Sequence, residues 1–189
     1  MTDTSVIDPS STPSTPATGA STPSVSSVLN HRAVKAVSAA LRDAEVTNVD
    51  TLVRILPDTA PTAATAAAQL GCPVSAIANS LIFEVGGEAL LVLTSGGHRV
   101  DTKALASRLG LASAKAIKRA KPEFVKTKTG QAIGGVAPVG HLERVRTLVD
   151  EELASYPEIW AAAGHHQAVF PIDFETLVRV TQGEVVKVD

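Results

Sequence analysis

Two periods of apolar residues run along this chain. Val34, Val37 and Leu41 recur at helical spacing, which predicts a helix over about 31–42 with Asn30 placed to cap it. Thr51–Leu56 reads as a strand stopped by Pro57. An alanine-rich helix follows over about 62–70 and closes at Gly71, where a left-handed residue ends many helices. Ile77–Val85 and Ala89–Thr94 are β-rich runs joined around Gly86-Gly87, a pair suited to a primed hairpin turn. The run Ala89–Leu93 is continuous rather than alternating, which predicts a strand buried on both faces.

The second half continues this punctuation. Asp101 is placed to cap a helix over about 102–109 that ends at Gly110, and a shorter helix is expected over about 113–120. Arg146–Asp150, Glu158–Ala163 and Ala168–Pro171 read as strands, the last two separated by Gly164-His165-His166. Asp173 is placed to cap a helix over about 174–180, and Val185–Val188 completes the set as a strand. No internal repeat is visible. Strands outnumber parallel-type crossovers, so the expected class is α+β, with a central mixed, largely antiparallel sheet flanked by helices.

Residues 1–27 interrupt the pattern, with eight Ser, six Thr and four Pro and almost nothing to bury. Such a segment cannot offset its ordering entropy, so a disordered tail over 1–27 and one folded domain over 28–189 are expected. The chain is 44% hydrophobic and 3% aromatic, so its core must be aliphatic. Its single cysteine, Cys72, excludes an intrachain disulfide and reads as a small packing residue. No apolar run approaches the roughly 20 residues of a membrane span. The N-terminus also lacks the basic and apolar regions of a signal peptide, so a cytoplasmic protein without a membrane partner is expected.

The formal net charge of −2 hides an uneven distribution. Residues 99–128 carry nine Lys or Arg against Asp101 and Glu123, a net of +7, whereas residues 142–189 carry nine acids and four bases, a net of −5. The basic block is suited either to a polyanion or to a solvated helix face.

Candidate chemistry concentrates in Thr129–His141, where four glycines, Pro138 and His141 fall within thirteen residues. Glycine lets the backbone enter φ > 0 and lets a ligand approach the main chain. A loop of this kind either presents N–H groups to a polarised carbonyl or simply strings tight turns together. The phosphate-binding glycine patterns are absent, and no serine sits in a nucleophile elbow. His165-His166 is poorly arranged for one metal ion, because neighbours on a strand point to opposite faces. Asp150 at its strand end either caps the next turn or enters a pocket.

Several features in fixed order then carry a resemblance. They are Ala67–Gly71, Ile77–Phe83, the hairpin leading to His98–Asp101, Leu109-Gly110, Thr129-Gly130, Gly134–Gly140 and Thr147–Asp150. Over roughly residues 45–188 the chain resembles the YbaK/EbsC family, related to the editing insertion domain of bacterial prolyl-tRNA synthetase. The resemblance implies a compact domain that hydrolyses the ester of a mischarged aminoacyl-tRNA, such as Cys-tRNA(Pro), without metal, cofactor or protein nucleophile. It implies a carbonyl site and catalytic support from Gly134, Gly135 and Asp150. Substrate contacts are implied at Asn79, Ser80, Thr129, Gly130, Pro138, Gly140 and His141. Lys103, Lys126 and Lys128 would meet the tRNA acceptor end, and an aminoacyl-tRNA synthetase is an implied partner; DNA is not. In that family the position of Asn79 is usually Lys. Asparagine keeps hydrogen bonding without the charge, which leaves a non-catalytic binding module as the alternative.

Overall fold

The computed structural model describes residues 24–189. Most of the expected 1–27 tail lies outside that range, and the first helix begins before Val28. Ser24 caps a short helix, α1 (Val25–Leu29), by accepting from Ser27 N–H. Asn30 ends α1, donating from Nδ2 to Ser26 O at 2.9 Å. The cap of α2 (Arg32–Asp43) is therefore His31, whose Nδ1 accepts from Ala33 N–H, and not Asn30.

The remaining elements are α3 (Val49–Leu52), β1 (Arg54–Ile55), α4 (Ala63–Leu70), β2 (Ile77–Val85), β3 (Glu88–Ser95) and α5 (Thr102–Arg108). β4 (Ile117–Arg119), α6 (Pro122–Thr129), β5 (Arg146–Asp150), β6 (Ile159–His165), β7 (Ala168–Ile172), α7 (Phe174–Thr181) and β8 (Glu184–Val186) follow. Most expected elements stand where their local signals place them. Thr62 and Thr65 form a reciprocal capping box on α4, and Gly71 closes it with φ 68°. Asp101 and Asp173 cap α5 and α7.

Two expectations give way, and one helix is added. Thr51–Leu56 is mostly not a strand: Val49, Leu52 and Val53 share an i, i+3, i+4 spacing, and all three pack on the core as α3 and its end. The helix expected over 113–120 is a single 3₁₀ turn followed by β4, because Ile117 is buried and the outer edge of β2 pairs with its strand. Residues 122–129 form an unforeseen helix, with Pro122 in its first turn and Gly130 as its left-handed cap at φ 74°.

The eight strands form one mixed sheet in the order β1-β7-β6-β2-β3-β5-β8, with β4 attached to β2. β3 lies between antiparallel β2 and parallel β5, and its apolar residues are buried on both faces as expected. Leu91 and Leu93 join the core beneath α2 and α7. Leu90 and Val92 join a second core with Leu105 and Ala106 of α5. Ile77 and Trp160 meet Ala66 and Ala67 of α4 in a third.

One feature of the sheet positions the site. The outer edge of β2 pairs with β6 at Ile77 and Ala78, and with β4 at Phe83–Val85. Between those two pairings the sheet forks. Gly96 N–H donates to Ile77 O, which turns alternate peptide groups of β2 (77, 79, 81) toward β3. The peptide groups of Ser80 therefore face the fork, with no strand opposite.

Candidate active site

At the fork, Ile133, Gly134 and Val136 of the glycine-rich loop line a cleft together with β2. A small cavity of about 40 Å³ and an adjoining open cleft of about 450 Å³ share Ser80, Leu81, Arg119, Ile133, Gly134 and Val136. Ile82, Phe83, Ala120 and Val125 add apolar wall to the smaller cavity. Asn79, Gly96 and the start of α4 (Thr62–Ala64) border the larger cleft. Ser80 Oγ is buried and has no protein hydrogen-bond partner among the described residues.

The loop is held in shape by Gln131, which is 2% exposed. Its Nε2 donates to Val139 O at 3.1 Å and to Gly140 O at 3.2 Å, while Oε1 accepts from Ala137 N–H at 2.7 Å. One amide thus ties both ends of the loop together. His141 braces it from outside: Nε2 sits 2.8 Å from Ala137 O, and a carbonyl only accepts, so Nε2 carries the proton. Burial holds the His141 pKa below the usual imidazole value, in keeping with a neutral ring, and the bond to Ala137 opposes that shift. Gly135 N–H donates to Ala132 O, and Ala137 N–H is taken by Gln131. The N–H groups of Gly134 and Val136 meet no protein acceptor among the described residues.

Each residue singled out from the sequence has a definite place. Asn79, Ser80 and Gly134 line the cleft together. Gly135 lies behind it, against the main chain of His165 and His166. Pro138 is buried in the back of the loop, and Gly140 rests on the main chain of α2. Thr129 and Gly130 belong to the end of α6 rather than to the loop, and Thr129 Oγ1 donates to Val125 O at 2.7 Å.

Asp150, fully buried, does not line the cleft. Its Oδ2 accepts from Ser95 N–H at 2.9 Å and from Thr94 Oγ1 at 3.3 Å, and lies 3.0 Å from His98 Nδ1. Its Oδ1 accepts from Glu152 N–H at 3.2 Å. Asp150 thereby fixes the turn after β3, whose Gly96 borders the cleft. Asp150→Asn replaces one acceptor oxygen with a donor and leaves at least one main-chain N–H, that of Ser95 or of Glu152, unpaired. The expected cost is about 2 kcal/mol of stability, read as a lowered urea midpoint at unchanged slope.

The expected tRNA lysines stand apart from the cleft. Lys103 and Lys126 are exposed and line neither cavity. Lys128 lies 3.4 Å from Glu88 and 3.2 Å from Glu143, and Glu143 chiefly raises its pKa. Of the nine bases in the basic block, only Arg119 reaches the cleft. Sequence reasoning passed over it because its position depends on the register of β4 against Phe83. Gln131 was passed over as well, although a glutamine among glycines and apolar residues is a signal for a buried staple. His165 and His166 stack at 4.0 Å, His165 as the last residue of β6. No group of three potential metal ligands gathers among the described residues.

The sequence model of a family described as the aminoacyl-tRNA editing domain matches residues 57–180. That span contains every residue lining the cleft. The chain belongs to the aminoacyl-tRNA editing domain family. Among solved structures, this editing domain is similar to one described as a candidate trans-editing enzyme for prolyl tRNA synthetase. The two are 34% identical with a TM-score of 0.75, over 84% of this chain and 98% of the other. It is also similar to a scaffold protein used for epitope grafting by computational design, at 32% identity and a TM-score of 0.75, over 84% and 97% of the two chains. An uncharacterized protein, YwhH of Bacillus subtilis (strain 168), is 27% identical over 108 residues; the match spans 57% of this editing domain chain and 66% of the Bacillus protein. No helix among the described residues is long and apolar enough to cross a membrane.

Proposed function

We propose that this chain is a trans-acting deacylase that hydrolyses the ester of mischarged aminoacyl-tRNA, with Cys-tRNA(Pro) as the first substrate to try. The observation that carries this reading is that Gly134 and Val136, whose amides meet no protein acceptor among the described residues, line one cavity with Ser80. Water attacks the ester carbonyl, and its oxygen becomes an oxyanion. Preorganised N–H donors stabilise such a charge without reorganising during the reaction. The bond to the ribose oxygen then breaks. That oxygen leaves as a hydroxyl with the proton lost by the water, releasing the amino acid.

Ser80 Oγ and Asn79 supply hydrogen bonds for the bound aminoacyl end. Gly135, Pro138, Gly140 and His141 hold the loop in shape, and Asp150 positions the turn carrying Gly96. Among the described residues no carboxylate or imidazole lines the cleft, so in this reading the protein contributes positioning and electrostatics rather than a general base. A cytoplasmic protein working beside a synthetase fits that role.

Gly134→Ala separates this chemistry from stability. Gly134 sits at φ 90°, and an added Cβ would meet nothing within 4 Å. Only backbone strain opposes the substitution, about 1–2 kcal/mol, and relieving it swings the amide. Deacylation should fall about 100-fold, the scale of one lost oxyanion donor, while the melting temperature drops by only a few degrees. Incubation with a panel of mischarged tRNAs tests the function itself. If none is deacylated while a relative with Lys at the position of Asn79 turns over in the same assay, the deacylase reading fails. Salt-sensitive tRNA binding without turnover, with activity appearing in Asn79→Lys, would establish the binding module instead.

A further inference from the structure

We propose that Arg119 grips the backbone phosphate of the tRNA's terminal nucleotide and so sets the direction in which the aminoacyl ester enters the cleft. This assignment rests on reading the cleft as an aminoacyl-tRNA site.

Among the described residues, Arg119 is the only charged one lining either cavity. It is exposed, and among the described residues it makes neither an ion pair nor a side-chain hydrogen bond. Its strand places it opposite Phe83 on β2, at the point where the sheet closes again beyond the fork. The neighbouring bases do not compete for this position. Lys118 is paired in register with Glu84, and as the adjacent residue of the strand it projects to the other face. Lys128 is held by two glutamates.

A cation without a counter-charge beside an otherwise uncharged cleft favours an anion there. The only anion close to the ester of an aminoacyl-tRNA is the phosphodiester that joins the last nucleotide. A guanidinium presents two parallel N–H groups to a phosphate, a geometry that orients as well as attracts. The same charge repels the α-ammonium of the amino acid. The two ends of the substrate are thereby sorted: the phosphate lies at Arg119, and the acyl group lies toward the buried Ser80 hydroxyl and the Gly134 amide. Asn79 contributes no charge to the cleft, so Arg119 carries this task alone.

The test compares three ligands with the full chain and its Arg119→Gln and Arg119→Lys variants. With aminoacyl-tRNA, Arg119→Gln should lower kcat/KM about tenfold and reduce the salt slope of log kcat/KM by about one. With aminoacyl-adenosine, which has the ester but no phosphate, it should match the unsubstituted protein within twofold. The trinucleotide CpCpA, which has the phosphates but no ester, should bind about tenfold more weakly to Arg119→Gln. Arg119→Lys should recover part of both losses. Lys118→Gln, which removes one charge from the opposite face, should leave aminoacyl-adenosine hydrolysis unchanged and the aminoacyl-tRNA rate within twofold.

Equal losses on aminoacyl-tRNA and aminoacyl-adenosine would overturn the assignment, and so would no loss on either. Arg119-dependent CpCpA binding in a protein that deacylates nothing would uphold it and reject the deacylase reading. Deacylation indifferent to Arg119 would do the reverse. If the chain neither turns over aminoacyl-tRNA nor binds CpCpA, both fall.

Discussion

Replacing Gln131 with alanine is expected to cost about 3 kcal/mol or more and, with the loop opened, to abolish the proposed deacylation. The side chain is buried, and its amide satisfies three main-chain groups of the loop: Ala137 N–H, Val139 O and Gly140 O. Ala137 is fully buried and Val139 nearly so, so water cannot take over those bonds without opening the loop. A buried polar group left unpaired costs about 1–3 kcal/mol, and two or three are orphaned at once. For a domain of this size, a loss of 3 kcal/mol lowers the melting temperature by roughly 6–12 °C. Gln131→Met separates polarity from packing, since it restores most of the volume and none of the hydrogen bonds. It should melt close to Gln131→Ala. Recovery by Met would show that the site needs only to be filled, and a Gln131→Ala melt within a degree of the parent would refute the staple altogether.

Gly140→Ala is the second large effect, and its cause is different. Gly140 has φ 78°, and a Cβ built on it would lie 2.7 Å from Val37 N, 2.8 Å from Val37 Cα and 2.9 Å from Ala36 C. All three are main-chain atoms of α2, so no side chain can rotate away to make room. Gly164, at φ 89°, touches the same helix at the Ala33 carbonyl. α2 therefore lies on two glycines, one from the loop and one from β6. Pushing it outward pulls Val34, Val37 and Leu41 from the core they share with Val136, Ala137 and Val139. Left-handed strain of about 1–2 kcal/mol adds to the lost packing, for a total above about 4 kcal/mol. Gly110→Ala is the internal control: φ is 68° there, but nothing lies within 4 Å of the added Cβ. It should cost only about 1–2 kcal/mol of strain. Thermal melts of the two variants side by side decide the matter, and similar melting temperatures would mean that α2 yields freely.

The family resemblance and the fold class were legible because they depend on short, ordered signals. Thr62 and Gly71 bracket α4, Gly86-Gly87 turns the hairpin, and Asp173 starts α7. Each acts within a few residues of itself, so each reads the same in the chain as in the fold. The errors share the opposite character. Asn30 is a competent cap, but α1 ends on it, and the cap of α2 passes to His31. Ile117–Arg119 has no local signature strong enough to outvote its helix-like neighbours; it becomes a strand because the far half of β2 offers an unpaired edge. Thr129-Gly130 looked like the start of the loop because the glycine was counted with those that follow, and not as the stop of a helix opened by Pro122.

The candidate site divides in the same way. By itself the sequence determined that the glycine-rich segment is a loop of tight turns and that Asn79-Ser80 lies on a strand beside a buried partner; the lysine expected in place of Asn79 came only with the family resemblance. Only the tertiary structure decided that β6 and β4 leave β2 at different points, and hence that Ser80, Gly134 and Arg119 share one cleft while Asp150 stands behind it. The physical reason is that glycine conformation, capping and turn formation are settled among near neighbours, whereas an unpaired strand edge is settled by competition among segments distant in the chain. A residue's own sequence context carries no record of which distant strand fails to reach it.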